Sequence, residues 1–164
     1  IRIRGPNVTK GYCHRPQETA EVFVGDRFLT GDIGYVDGDG YFYLVDRKKD
    51  MIISGGFNVY PQMIEQAIYE HSSVHEVIVI GVPDDYRGEA AKAFIKLRAS
   101  AKPFALDELK AFLAGKLGKH EIPAAVEFVD ELPRTSVGKL SRHELRNQQP
   151  SAQPRQAQQA SGRL

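Results

Sequence analysis

Residues 46–61, DRKKDMIISGGFNVYP, separate two parts of the chain that have different hydrophobic patterns. The stretch begins with a charged run, residues 46–50, and continues with a short apolar strand, residues 51–53, that ends on Ser54 and a pair of glycines. Pro61 then favours the first turn of a helix. A charged run is usually a solvated face or a linker. This one lies where the composition changes from one domain to the next, which is where a hinge is expected.

Residues 1–46 have the pattern of β-structure with turns. Residues 1–4 alternate apolar and charged side chains, and DGDG at residues 37–40 predicts a hairpin turn that leads into a strand at residues 41–45. Because a strand such as residues 1–5 does not fold alone, we expect its partners to lie upstream. We therefore interpret the first 46 residues as the β-rich end of a larger domain, and the chain as a fragment.

The following hundred or so residues predict a small α+β domain over residues 47–147, with helices packed on a three-stranded sheet. Apolar residues recur there at helical or alternating spacing. The helices are expected at residues 61–71, at 106–117 and after Ser141, and the strands at 76–82, 91–98 and 126–129. The strand at 91–98 is expected to be half-exposed, because its apolar residues alternate with charged ones. Residues 148–164 have almost no large apolar side chain, so a disordered tail is expected.

The composition is that of an ordinary soluble globular protein, with 41% hydrophobic and 26% charged residues. A net charge of +1 argues against a nucleic-acid partner, because too few cations are concentrated to neutralise many phosphates. The longest apolar stretch, residues 77–82, is too short to cross a bilayer, so no transmembrane segment is expected. The chain has one cysteine, Cys13, which cannot form an internal disulfide and fits a cytoplasmic location.

Three loops carry residues of chemical interest, and each has a purely structural alternative. Asp32 follows a glycine, as is common in turns, although a carboxylate can also accept both hydroxyls of a ribose. Gly55 and Gly56 form either a flexible turn or a place where a ligand approaches the backbone. Residues 133–140, PRTSVGKL, fail the Walker pattern. Lys139 in this loop is therefore either an inert surface lysine or a point charge for phosphate oxygens.

In this order and at these spacings, the segments resemble the adenylate-forming superfamily of acyl-CoA synthetases, luciferases and peptide-synthetase adenylation domains. The resemblance covers residues 1–147 and is strongest over residues 46–61, which are most similar to fatty-acyl-CoA ligases. The segments GVPD at 81–84 and FVDELP at 128–133 belong to the same pattern. The resemblance implies the C-terminal part of such an enzyme, in which the end of the large AMP-binding domain precedes a mobile lid domain.

The resemblance also implies two half-reactions in one active site between the two domains. A carboxylate attacks the α-phosphate of Mg-ATP to give acyl-AMP and pyrophosphate. The lid then rotates, and the thiol of CoA displaces AMP to give a thioester. The implied roles are ribose binding for Asp32, nucleotide binding for Arg47 and Asn58, the hinge for Lys49, the CoA channel for Gly55 and Gly56, and adenylation catalysis for Lys139.

The resemblance further implies ATP with Mg, CoA and a carboxylic acid, in the first place a long-chain fatty acid, as the molecules bound. The family's phosphate loop and acyl pocket lie upstream, so the fragment is expected to need the missing N-terminal domain and to be inactive alone. The alternatives are an adenylating domain that passes its acyl group to a carrier protein, and a non-catalytic module of the same fold. A homo-oligomer is left open. His71 and His75 lack a third ligand, so no metal site is expected.

One position departs from the family's pattern. Glu121 stands where many relatives carry a basic residue. If that position helps to hold the CoA nucleotide, the contact has to come from another residue, such as Lys116 or Lys119.

Overall fold

The computed structural model describes residues 1–149 of the chain. Within this range the backbone forms ten strands, four α-helices and one 3₁₀ turn. The strands are β1 (Arg2–Ile3), β2 (Phe23–Val24), β3 (Arg27–Leu29), β4 (Asp32–Val36), β5 (Phe42–Arg47), β6 (Ile52–Ser54), β7 (Phe57–Val59), β8 (Val74–Asp84), β9 (Gly88–Leu97) and β10 (Ala125–Phe128). The helices are α1 (Pro16–Val22), α2 (Pro61–Tyr69), α3 (Leu106–Leu113) and α4 (Arg142–Gln148), and the 3₁₀ turn is Lys48–Asp50. None of these helices is long and apolar enough to cross a membrane.

The first 46 residues form β-structure, as the sequence predicts, and also contain α1. Strands β1, β3 and β2 make one antiparallel sheet, and β4 pairs with β5 in a hairpin. The predicted hairpin turn is confirmed, since Asp37 Oδ1 accepts hydrogen bonds from the N–H groups of Asp39 and Tyr41, at 3.0 and 2.9 Å. The sequence does not predict α1 because none of its side chains is buried, so it shows no apolar period.

The sheet of the second part has five strands within the described residues, whereas three were predicted. The three predicted strands are β8, β9 and β10, and the α+β class is confirmed. Strand β8 pairs antiparallel along the whole of β9, and the opposite edge of β9 pairs in parallel with β10. The additional strands are the hairpin β6–β7, which joins that same edge through the pair Ser54 and Gly88. Strand β6 overlaps the short apolar strand expected at residues 51–53, which the predicted three-stranded sheet did not include. Strand β7 has three residues, and a strand this short leaves little periodic signal in a sequence.

The sheet is covered on both faces, so the prediction that the strand at 91–98 is half-exposed is wrong. One face packs against α2 and α3, with Ala93 and Ile95 among the buried residues. The other face carries Phe94, which is 1% exposed and packs with Leu132 and with Leu145 of α4. Alternate residues of β9 therefore face two different apolar clusters, one on each side of the sheet. The second cluster forms because the C-terminal segment folds back over the face that the sequence assigned to solvent.

Three helix boundaries differ from the prediction. Helix α2 ends at Tyr69, two residues before the predicted end. Helix α3 ends at Leu113, four residues before the predicted end, because Ala114 is extended and Gly115 has a positive φ of 81°. Helix α4 includes Gln148, which the sequence assigned to the tail. Gln149 of that predicted tail is the C-terminal cap residue of α4, and residues 150–164 lie outside the described residues.

Candidate functional site

The structure places two of the predicted nucleotide-binding residues, Asp32 and Arg47, side by side. Asp32 in β4 and Arg47 in β5 are partners in the antiparallel register, and Arg47 Nε lies 3.4 Å from Asp32 Oδ1. Both side chains are partly exposed, at 37% for Asp32 and 52% for Arg47. The carboxylate is thus held by a neighbouring cation and still accessible to hydroxyl groups of a ligand.

The 3₁₀ turn that contains Lys49 lies between a residue bonded to the first part of the chain and a residue bonded to α4. On one side, the N–H of Lys48 donates to the carbonyl of Gly31 at 2.7 Å, which ties it to the start of β4. On the other side, the buried carboxylate of Asp50 accepts from Arg146 of α4 at 2.8 Å. Lys49 itself is exposed. The predicted hinge residue therefore lies between two differently anchored neighbours.

The predicted channel glycines form the turn between β6 and β7. Gly55 and Gly56 have φ values of 57° and 85°, which L-residues with side chains rarely adopt. A Cβ added to either would meet nothing within 4 Å. Glycine is required here by backbone conformation and not by crowding within the described residues. The bare backbone faces open space, and Asn58, two residues beyond Gly56, is exposed on β7.

A second turn, between β8 and β9, supports the glycine turn. The carbonyl of Arg87 accepts from the N–H of Gly55 at 2.8 Å, and Glu89 Oε2 accepts from the N–H of Ile53 at 2.9 Å. Asp84 Oδ1 organises this turn by accepting from the N–H groups of Arg87 and Tyr86, and these bonds hold the pKa of Asp84 below its ordinary value. The sequence gave no signal that this turn would contact the glycines.

Lys139 lies on an exposed loop whose two ends are joined. The N–H of Ser141 donates to the carbonyl of Pro133 at 2.8 Å, and the N–H of Thr135 donates to the carbonyl of Lys139 at 2.7 Å. Ser141 is buried, and its Oγ accepts from the N–H of Glu144 at 3.3 Å, which caps α4 directly after the loop. The loop thus presents the Lys139 side chain to solvent from a closed backbone ring.

The predicted site residues form separate groups and not one cluster. The glycine turn is attached where β8 ends and β9 begins, through Arg87. The Lys139 loop is attached near the start of β8, through an ion pair between Arg134 and Glu76. Glu76 and Asp84 are eight residues apart in one strand, which corresponds to about 26 Å at about 3.3 Å per residue. The two groups therefore lie near opposite ends of β8.

A buried charge cluster, which the sequence did not predict, connects the 3₁₀ turn to α2 and α4. Its acidic members form ion pairs with Arg142 and Arg146 of α4. They are Asp46, Asp50 and Glu65. A charged residue beside the apolar face of α2 was the available signal for Glu65, but nothing in the sequence indicated its partners.

Two carboxylates of the charge cluster also accept a hydrogen bond from a backbone N–H group. Asp46 Oδ2 accepts from the N–H of Gln62 at 2.8 Å in the first turn of α2, and Glu65 Oε1 accepts from the N–H of Val79 in β8 at 2.8 Å. Burial raises the pKa of Glu65 against the opposing attraction of Arg142. Burial lowers the pKa of Arg142, but the surrounding carboxylates outweigh burial and leave it raised.

The loop around Glu121 gives that residue a structural contact. Glu121 Oε2 accepts from the N–H of Gly118 at 2.7 Å. The Lys116 ammonium pairs with Glu70 and lies 4.0 Å from the centre of the Phe112 ring, so it already has partners within the domain. Lys119, the other lysine named above as a replacement for a basic residue, is also exposed and has no ion pair within the described residues.

The sequence pattern of the AMP-binding enzyme C-terminal domain matches residues 63–139. The chain is 49% identical over 136 residues to a long-chain-fatty-acid–CoA ligase from Bacillus subtilis, covering 83% of this chain and 24% of that protein. It is 46% identical over 148 residues to a 2-succinylbenzoate–CoA ligase from Geobacillus kaustophilus, covering 89% of this chain and 30% of that protein. The chain belongs to the family of AMP-binding enzymes and contains their C-terminal domain.

A solved structure has the same fold. The o-succinylbenzoate CoA synthetase of Bacillus subtilis, in complex with its acyl-adenylate intermediate, superimposes with a TM-score of 0.81 at 38% identity. The match covers 93% of this chain and 30% of that one. This chain therefore spans less than a third of the length of the relatives that it matches.

Proposed function

We propose that the chain is the C-terminal part of a longer AMP-forming acyl-CoA synthetase, referred to below as the full-length protein. The observation that carries this proposal is the arrangement along β8, where a solvent-exposed lysine loop and a bare glycine turn lie near opposite ends of one rigid strand. A single rotation about Lys49 would exchange one for the other at a fixed active site. Such an exchange would bring the lysine loop to the active site for adenylation and the glycine turn for thioester formation.

For the adenylation step we propose that Asp32 accepts the ribose hydroxyls of ATP and that Arg47 supports the same nucleotide. The antiparallel register keeps this pair together, and its exposure leaves the carboxylate oxygens accessible. Asn58 is proposed to lie near the phosphates. Lys139 supplies a positive charge to the carboxylate and the α-phosphate, where negative charge develops, and removing such a preorganised contact usually costs about a hundredfold or more in rate.

For the thioester step we propose that the pantetheine arm of CoA passes over Gly55 and Gly56. Open space above both Cα atoms supports this role, because a side chain there would project towards the ligand and not into the fold. Mg-ATP and CoA are bound mainly by parts of the full-length protein outside this chain. The relatives that the chain matches are named as CoA ligases, which favours CoA over a carrier protein as the acceptor.

The acyl substrate is proposed to be a fatty acid. Support comes from the sequence of residues 46–61 and from the similarity to a long-chain-fatty-acid–CoA ligase. The similarity to 2-succinylbenzoate–CoA ligases supports only the broader class of carboxylic acids.

The β4–β5 hairpin supports the proposal that the first 46 residues are part of a larger domain. Several of its apolar side chains are exposed, among them Phe42 at 75% and Leu44 at 66%. Tyr35 and Tyr43 stack on each other with ring centres 5.0 Å apart and are also exposed. An apolar surface of this kind marks a contact with another protein surface. We propose that it is the remainder of the AMP-binding domain, and that the 164-residue chain alone is inactive.

The test of this function is Lys139→Ala in the full-length protein. We expect acyl-adenylate formation, measured by ATP–pyrophosphate exchange, to fall about a hundredfold or more. Thioester formation from supplied acyl-AMP should stay within about twofold, because Lys139 and the glycine turn lie near opposite ends of β8. Lys102→Ala, which removes an exposed lysine of the β9–α3 connection, is the matched control and should change neither step. Equal loss of both steps in Lys139→Ala would contradict the proposed division.

A further inference from the structure

Arg134 connects the backbone next to Lys139 to the sheet. Its Nη1 donates to the carbonyl of Gly138 at 2.9 Å, and its Nη2 pairs with Glu76 of β8. Glu76 lies in a strand that is packed on both faces, so it is a fixed point in the domain. One planar guanidinium therefore bridges a rigid strand and the residue directly before Lys139.

In the part of the chain that the structure describes, the other hydrogen bonds at the tip of this loop join residues of the loop to each other. The N–H of Gly138 donates to the carbonyl of Thr135 at 2.8 Å, and the N–H of Lys139 donates to Thr135 Oγ1 at 3.2 Å. The flanking residues Leu132 and Leu140 pack against the apolar layer beneath, whereas Val137 at the tip is 77% exposed. Within the described residues, these local bonds shape the tip but do not attach it to the sheet, which leaves Arg134 as its recorded side-chain link.

The chemistry of the link is specific to arginine. A guanidinium presents several N–H donors in a fixed plane, so it can serve the Gly138 carbonyl and the Glu76 carboxylate at once, whereas a lysine ammonium is a single flexible point. Glu76 in turn depends on this partner, because its Oε2 is buried and has no hydrogen-bond partner within the described residues.

We propose that Arg134 is a positioning residue for Lys139: it holds the loop tip on β8 so that the ammonium is placed for adenylation, and it does not itself contact the substrate. The inference rests on the proposed function of Lys139. Misplacing a reacting group by about 1 Å can cost about a hundredfold in rate, so an anchor of this kind has a large effect on one half-reaction.

Two variants of the full-length protein separate positioning from direct contact. Arg134→Ala removes the link at the loop, and Glu76→Ala removes it at the strand and leaves the guanidinium in place. We expect both to lower the kcat of adenylation about tenfold to a hundredfold, with the KM for ATP and the thioester step within about twofold of the parent. The double variant should be no worse than Arg134→Ala alone, because both changes break one link.

The conservative variant gives a further control. Arg134→Lys keeps the charge but loses the planar set of N–H donors, so we expect an adenylation rate between those of the parent and Arg134→Ala. A normal rate for Glu76→Ala, additive losses in the double variant, or a raised KM for ATP in Arg134→Ala alone would each overturn the inference and indicate direct substrate contact.

Hydrogen exchange separates failure of this inference from failure of the proposed function. In both single variants the amides of Gly138 and Lys139 should exchange faster, while amides in the middle of β8 and β9 should exchange as in the parent. This result is independent of any activity. If the parent protein makes no acyl-AMP, the proposed function fails, whereas unchanged exchange at both amides overturns the anchoring role of Arg134.

Discussion

Replacing Gly56 by alanine tests the glycine turn against a control that has the same backbone geometry. Gly56 has a φ of 85° and Gly115 has a φ of 81°, and a Cβ at either position would meet nothing within 4 Å. The strain of a side chain at positive φ is about 1–2 kcal/mol at each position. Since about 1 kcal/mol shifts the Tm of a domain of about 100 residues by about 4 °C or more, both variants should be destabilised equally and modestly.

The functional effects of the two variants should nevertheless differ. In the full-length protein, Gly56→Ala should slow thioester formation from supplied acyl-AMP by about tenfold or more, which corresponds to about 1.4 kcal/mol in the barrier. Gly115→Ala should leave that rate within about twofold, because its methyl group lies in the loop that follows α3 and not in the glycine turn. Differential scanning calorimetry checks the shared stability loss. The reasoning is refuted if the two variants impair the thioester step equally, or if Gly56→Ala leaves it unchanged.

Two further predictions concern the buried charge cluster. Arg142→Ala should lower the free energy of unfolding by about 3–5 kcal/mol in urea titrations, because it strands buried carboxylates without their partner; a loss below about 1 kcal/mol would show that solvent or Arg146 compensates. Glu65→Gln tests the raised pKa of Glu65, whose ordinary value is 4.5. A raised pKa in the folded state means that the folded protein binds the Glu65 proton more tightly than the unfolded chain does. The stability that the protonated Glu65 carboxyl contributes is therefore fully present below pH 4.5 and is lost as the pH rises through the folded pKa. The parent should therefore lose stability relative to Glu65→Gln as the pH rises from about 4 to about 7, and a relative gain would contradict the assignment.

The α+β class and the long elements were predictable from the sequence, because burial of one helix face or strand face leaves a regular apolar period. Strands β8, β9 and β10 and helix α2 are of this kind. The apolar layer that covers the second face of the sheet could not be predicted from the sequence. Phe94 occupies the position of an outward-facing residue in the alternation, and it is buried by the return of the C-terminal segment, including Leu132 and Leu145, across that face. Such a long-range contact leaves no local pattern in either segment.

The candidate site divides in the same way. Asp32 and Arg47 could be located from their motifs, and their adjacency follows from the register of a hairpin whose turn was recognisable at Asp37. The link between Arg134 and Glu76 could not be predicted, because the two residues are separated by 58 positions in sequence. Turn and strand chemistry is local, whereas the partners of buried or anchoring charges are chosen by the tertiary fold.

Asp46 has a consequence for how the two parts of the chain can move. It precedes Lys49, yet its carboxylate accepts from the first turn of α2 and faces Arg142 in α4, both of which follow Lys49. Any turning about Lys49 that carries α2 and α4 away must break this contact and leave a helix end and a guanidinium to find new partners. We infer that the proposed rotation would pass between discrete orientations, because this contact has to break before another orientation can form.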